Sequence, residues 1–211
     1  KNKRNINSLE CNKKTKSPYS APRNVYDAII VGAGPAGATA AYYMGQKGMK
    51  VALIDKKSFP RHKPCGDAWC KPALDILEDM GVLSKMEKDG IARPVKRGGF
   101  ISTFGYKCIN TDGDSYGSVT GCKTYAIKRF IADEYLVKAA TAWPTVDFFP
   151  LTEVTDLTFV DIATSAEGEH GRIGSPEGAW TAFTKSSTGA AVPITLNGVM
   201  CLICDGSTSY L

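Results

Sequence analysis

The chain has 211 residues, 43% apolar and 22% charged, a balance that suits a globular protein of one domain or one and a half. No run of 18 apolar residues occurs, which argues against a membrane-spanning helix. The formal charge of +5 is uneven: residues 1–24 hold seven Lys or Arg and one acid, so they carry +6 and the rest −1, and a nucleic-acid-binding body is disfavoured.

Residues 1–24 read as a basic flexible tail rich in Asn, Lys and Ser. Three readings stay open for it: a targeting remnant, an arm for an acidic surface or anionic membrane, or a solvated extension with no role. Residues 25–97 read as a nucleotide-binding βαβ unit with a following loop. Ala28 to Val31 is a continuous apolar run, as in a parallel strand covered on both faces. Gly32-Ala33-Gly34-Pro35-Ala36-Gly37 follows it. Gly32 permits the tight turn, Gly34 lets a phosphate oxygen approach the backbone, and Gly37 allows close helix–sheet packing. Pro35 suits the first helical turn, and Ala36 continues it. The helix start then faces a pyrophosphate. Gly48 is placed to end this helix. Lys50 to Asp55 is the second strand, with Asp55 placed for ribose hydroxyls. An acid there favours FAD or NAD over NADP.

Lys56 to Asp67 contains Pro60, Pro64 and Gly66 and reads as an ordered loop whose cations could neutralise a pyrophosphate. Pro72 to Met80 has helical spacing, Gly81 breaks it, and a short amphipathic piece runs to Lys88. Residues 98–127 change to short strands, with a hairpin signal at Asp112-Gly113, and read as an inserted antiparallel segment. Residues 128–211 return to the first domain. A helix spans 129–142, with Ile131, Tyr135, Leu136 and Ala139 on one side, and Pro144 ends it. Val146 to Val160 is a strand region, 161–178 a surface loop, and Trp180–Lys185 and Val192–Cys204 strands. Asp205-Gly206-Ser207 then turns.

Seven cysteines make no even disulfide framework and suit a reduced compartment. Cys201 and Cys204 are three apart on a strand and point to opposite faces, so they cannot share a metal or a disulfide. No metal site is expected.

Three stretches together resemble the geranylgeranyl reductase family, within the FAD-dependent reductases and hydroxylases. They are Tyr26 to Gly37, then Leu53-Ile54-Asp55-Lys56-Lys57-Ser58-Phe59-Pro60-Arg61, then Lys63-Pro64-Cys65-Gly66-Asp67. Arg129, Asp133 and Leu136 resemble the family's Arg-x-x-Phe-Asp-x-x-Leu helix, with Ala132 in place of Phe. Asp205-Gly206 resembles its late Asp-Gly motif. The resemblance implies an α/β fold: a Rossmann-like doubly wound FAD-binding domain with the antiparallel segment inserted and the family's C-terminal half absent.

It further implies FAD reduced by NADPH and a substrate with isoprenoid chains. Gly32, Gly34 and Gly37 would hold the pyrophosphate and Asp55 the ribose. Arg61 and Arg129 would steady phosphates or adenosine, and Cys65-Gly66-Asp67 would lie beside the flavin ring. Cys65 is the one catalytic candidate. A chloroplast, thylakoid-associated protein of chlorophyll biosynthesis, peripheral to the membrane, is the implied setting. Without the missing half, the final apolar strand from Val199 to Cys204 would lack a covering helix. The alternative is a non-catalytic, truncated homologue serving as a structural subunit of a thylakoid or photosystem-type membrane complex.

Overall fold

The computed structural model describes residues 25–65, 67–95, 98–110, 124–161, 178–189 and 193–206. The tail, Gly66, Asp112-Gly113 with the rest of 111–123, most of the 161–178 loop and Ser207–Ser209 lie outside the described residues.

Strand β1 (Tyr26–Val31) is buried along almost its whole length, as its unbroken apolar run requires. It pairs in parallel with β2 (Val51–Ile54), and β2 with β8 (Val146–Phe149). On its other side β1 pairs in parallel with β11 (Thr195–Ile203). Antiparallel strands β10 (Gly178–Ser186) and β9 (Thr152–Asp161) complete the order β8-β2-β1-β11-β10-β9.

Alternation sorts the core into two layers. Ile30, Val51 and Leu53 face one side, where α1 (Pro35–Gln46) and α4 (Arg129–Thr141) pack. Ile29, Val31, Ala52 and Ile54 face the other, where Val154 of β9 and Ala182 of β10 cover them. The first layer is thus closed by helices and the second by strands that curl back over β2.

Helix α1 presents Gly37, Ala38, Ala41 and Gly45 to the core. A Cβ on Gly45 would stand 2.7 Å from Val146 Cγ2 and 2.8 Å from Trp143 Cβ, so the small-residue face is what lets this helix seat. Its end follows the sequence expectation: Gly48 takes φ +77° just beyond it. The buried stripe of α4 is Ala132, Asp133, Leu136, Val137 and Ala140. That corrects the expected face, of which only Leu136 is buried; small alanines fit against α1, and Ile131 and Tyr135 stay at the margin. Full burial of Leu136 stabilises by roughly 1.5–3 kcal/mol.

Helices α2 (Lys71–Asp79) and α3 (Val82–Lys88) bury Leu74, Leu77, Val82, Leu83 and Met86, with Gly81 between them at φ +69°. Three phenols tie this pair down: Tyr43 to Asp79 at 2.6 Å, Tyr125 to Glu87 at 2.6 Å and Tyr135 to Asp89 at 2.5 Å. Strands β3 (Ala68–Trp69), β4 (Arg93–Pro94) and β7 (Tyr125–Ala126) form a small antiparallel sheet, β7 in the middle. Strands β5 (Gly98–Ile101) and β6 (Lys107–Asn110) pair as a separate antiparallel hairpin.

Two further strand readings change. The 146–160 region is two strands, separated at Pro150-Leu151, where Leu151 takes φ +54°. The last strand begins at Thr195 and lies inside the sheet, hydrogen-bonded on both edges by β1 and β10. Its faces are only partly covered, with Met200 45% and Ile203 49% exposed. Among the described residues no helix is long and apolar enough to cross a membrane.

Candidate functional site

Strand β1 ends at Val31, and the chain must turn within three residues to start α1. Gly32 makes the turn at φ +98°, its N–H donating to Ile54 O at 2.7 Å. A Cβ on Gly32 would lie 2.4 Å from Cys204 O, so the end of β11 closes over it. Gly37 sits beneath: a Cβ there would meet Gly32 O at 1.8 Å. Gly34 differs from both. Among the described residues, the only atom near its missing side chain is a guanidinium nitrogen of Arg61, at 3.3 Å. Gly34 is also the N-cap of α1, with no side chain capping the helix. Pro35 and Ala36, the first helical residues, are half-buried and exposed. The first-turn amides have no carbonyl partner within the helix, and the positive end of the helix dipole lies at that point.

A cleft of about 520 Å³ opens there, within the ordinary range of small-molecule sites. Gly32, Gly34, Asp55, Lys56, Arg61 and Asp205 line it, so it gathers six of the residues singled out from sequence. Lys57, Lys63, Thr152, Glu153, Thr155 and Lys185 join them. Cations outnumber carboxylates along this lining, which suits an anion.

Asp55 is 8% exposed and directed at the glycine turn. Oδ2 accepts from Ala33 N and Oδ1 from Lys57 N, both at 2.9 Å. Each oxygen keeps a further lone pair for a ligand. Backbone bonds hold the residue on both sides, from Asp55 N to Phe149 O and from Thr152 N to Asp55 O.

Arg61 stands over Gly34 between two carboxylates. Its Nη2 is 3.1 Å from Asp133 Oδ2 and 3.9 Å from Asp55 Oδ2. Arg129 holds the same Asp133 with two prongs, Nε to Oδ1 at 2.7 Å and Nη2 to Oδ2 at 3.0 Å. Those bonds push the Arg129 pKa above its ordinary value. Asp133 is fully buried. One carboxylate therefore orders two arginines; with Asp55 counted these four charges balance, and the positive excess of the cleft lies with Lys56, Lys57, Lys63 and Lys185.

Cys65, Asp67 and Arg129 do not line the 520 Å³ cleft; they gather at the start of α4. Asp67 takes φ +55°; its Oδ1 accepts from Arg129 N at 2.9 Å and its carbonyl from Ile127 N at 2.9 Å. A loop carboxylate thus satisfies one orphan N–H of the helix. Cys65 is exposed, with its Sγ 3.7 Å from Arg129 Nη1. Gly66, between them, is outside the described residues. Gly206 takes φ +100°, and a Cβ there would be 3.8 Å from Lys63 Nζ. Cys201 and Cys204 are free and pack into opposite layers, and burial raises both thiol pKa values.

A family model described as FAD binding domain matches residues 25–173. The chain belongs to this FAD-binding family. FAD is its cofactor. The site fits that group: Gly34 is an open cradle that a side chain would fill, beside an uncapped helix start and a cationic lining.

Over 123 residues the chain is 39% identical to conditioned medium factor receptor 1 of Dictyostelium discoideum, covering 56% of this chain and 24% of that one. It is 36% identical over 115 residues to menaquinone reductase of Mycobacterium tuberculosis, covering 54% and 26%. With digeranylgeranylglycerophospholipid reductase of Methanocaldococcus jannaschii the figures are 32% over 121 residues, 56% and 27%. The matched stretches span about a quarter of those relatives' own lengths. Among solved structures, the myxobacterial chondrochloren halogenase superposes with a TM-score of 0.67 at 20% identity, over 89% of this chain and 38% of that one. At that identity the likeness concerns the fold.

Sequence reasoning did not put Asp133 among the site residues. Its signal was an acid four residues after Arg129, inside an otherwise apolar helical stripe. The contribution of Thr152, Thr155 and Lys185 had no sequence signal, because it depends on how β9 and β10 curl.

Proposed function

We propose that this chain provides the FAD-holding part of an NADPH-using reductase acting on isoprenoid, geranylgeranyl-type chains. The observation that carries the flavin part is Gly34, open beneath an Arg61 that Asp133 anchors. In this reading Gly34, the first-turn amides of α1 and Arg61 receive the pyrophosphate. Among the described residues Arg61 Nε has no hydrogen-bond partner. Asp55 accepts from the ribose through its spare lone pairs, and Asp205 with Gly206 closes the cleft at the end of β11. FAD supplies two-electron chemistry when bound.

The isoprenoid part draws on the family resemblance and on two relatives whose names are reductases, one of digeranylgeranylglycerophospholipid. A thylakoid-side, membrane-peripheral setting belongs to the same proposal and draws on the resemblance alone.

The test uses the purified chain. FAD titration should quench flavin fluorescence, and Gly34→Val should abolish the quench while the fold, read by circular dichroism, survives. In a full-length flavoprotein that carries this chain, NADPH oxidation should then depend on added geranylgeranyl diphosphate. Flavin binding that ignores Gly34→Val overturns the site. Bound flavin with NADPH consumption indifferent to any isoprenoid overturns the substrate.

A further inference from the structure

The cations that line the cleft are not alike. Lys185 pairs with Glu153 at 3.1 Å and Arg61 with Asp133 at 3.1 Å. Lys56 and Lys57 are exposed, so water solvates their ammonium groups. Lys63 is half-buried in the lining, and among the described residues it has no carboxylate within ion-pair distance. A partly desolvated ammonium needs an anion or acceptor to offset that loss.

Its position is specific. Lys63 Nζ lies 3.8 Å from where a Cβ of Gly206 would stand. Among the described residues no other heavy atom, apart from the chain neighbours, comes within 4 Å of that point. Gly206 takes φ +100° at the end of β11, next to the glycine turn, since a Cβ on Gly32 would meet Asp205 Cα at 2.8 Å. Arg61, two residues earlier in the same loop as Lys63, stands over Gly34 and 3.9 Å from Asp55. Two backbone positions without side chains therefore each have their own cation. Gly34 has Arg61, on the side of Asp55, and Gly206 has Lys63, at the end of β11. Five cations and three carboxylates line the cleft, an excess of two positive charges. A dinucleotide pyrophosphate carries one negative charge on each of its phosphates.

We propose that Lys63 is the second phosphate ligand of this cleft. Arg61 receives the phosphate beside the adenosine ribose and Lys63 the phosphate on the flavin side, so the site selects a pyrophosphate diester over a single phosphate. The assignment rests on the flavin reading above and adds a selectivity to it.

Displacement of bound FAD, followed by recovery of flavin fluorescence, tests it with two competitors of nearly equal charge near neutral pH: ADP-ribose, with two phosphates, and AMP, with one. Lys63→Met should weaken FAD and ADP-ribose about tenfold, the scale of one charged hydrogen bond, and leave AMP within about twofold. Lys63→Arg keeps the charge and should hold ADP-ribose within about threefold of the unmodified chain. Salt should weaken FAD binding less in Lys63→Met than in the unmodified chain. Without ligand the thermal midpoint of Lys63→Met should not fall, because the ammonium it removes has no carboxylate partner among the described residues. A lowered midpoint would assign Lys63 to the fold instead. Equal weakening of AMP and ADP-ribose would overturn the two-phosphate assignment, and so would FAD affinity that Lys63→Met leaves unchanged. No FAD binding by the unmodified chain would overturn the flavin reading and this assignment together.

Discussion

Replacing Asp133 by Asn tests how the cleft's arginines are held. The carboxylate is fully buried and accepts three close contacts, two from Arg129 and one from Arg61. Both arginine side chains are mostly shielded, 15% and 13% exposed, so water cannot readily take over. Asn keeps the shape and one acceptor oxygen. Its NH2 group would face a guanidinium N–H, donor against donor; Arg129 would lose its buried counter-charge and Arg61 would keep only Asp55, at 3.9 Å. Leaving one side of a buried ion pair unmatched costs roughly 3–5 kcal/mol. That is a large fraction of the ~5–15 kcal/mol by which a domain is stable. Denaturant unfolding of the two forms reads it directly, as a fall in midpoint at constant slope. FAD affinity should fall as well, because Arg61 loses the contact that holds it over Gly34. A stability loss below about 1 kcal/mol would show that the three contacts do not act as a buried unit. So would Asp133→Asn and Arg129→Gln effects that simply add in a double-mutant cycle.

Gly37→Ala should abolish FAD binding and destabilise the fold, because the new methyl would stand 1.8 Å from Gly32 O and neither backbone can retreat; retained flavin fluorescence quenching would refute this. The phenols of Tyr43, Tyr125 and Tyr135 are pushed up to about 12, chiefly by their hydrogen bonds to Asp79, Glu87 and Asp89. Their contribution is therefore fully present below an ordinary tyrosine pKa of about 10 and disappears as pH climbs toward 12. Tyr43→Phe should flatten part of that alkaline loss, and tyrosinate absorbance appearing near pH 10 for all three would contradict the assignment. Leu151→Gly should be neutral or stabilising by up to ~1 kcal/mol, since a left-handed Leu costs about 1–2 kcal/mol and Gly returns part of that in backbone entropy. Leu151 is 38% exposed and gives up little burial; a midpoint lowered by more than about 1 kcal/mol equivalent would argue that its packing outweighs the strain.

The parts of this molecule legible in sequence are those in which one residue type has one physical use. Gly32, Gly34 and Gly37 announced a turn, an approach and a packing contact, and each has the surroundings its role requires. The apolar run of β1, the helix stop at Gly48 and the break at Gly81 are equally local. What stayed hidden depends on partners distant in sequence. The face of α4 was misjudged because hydrophobicity ranks Ile131 and Tyr135 above Ala132 and Ala140, whereas the close seat against α1 admits only small residues. A charged Asp133 within that stripe answers Arg129, four positions earlier, and also Arg61, seventy-two positions earlier, which no window of the sequence contains. The far wall of the cleft arises the same way. Thr152 follows a left-handed Leu151, hydrogen-bonds Asp55 O and so brings β9 across β2. The glycine turn is thus encoded by a local motif, while the cations lining the cleft beside it come from the 56–63 loop and β10. A variant that spares every glycine can still empty this site, and Asp133 is where that dependence is most concentrated.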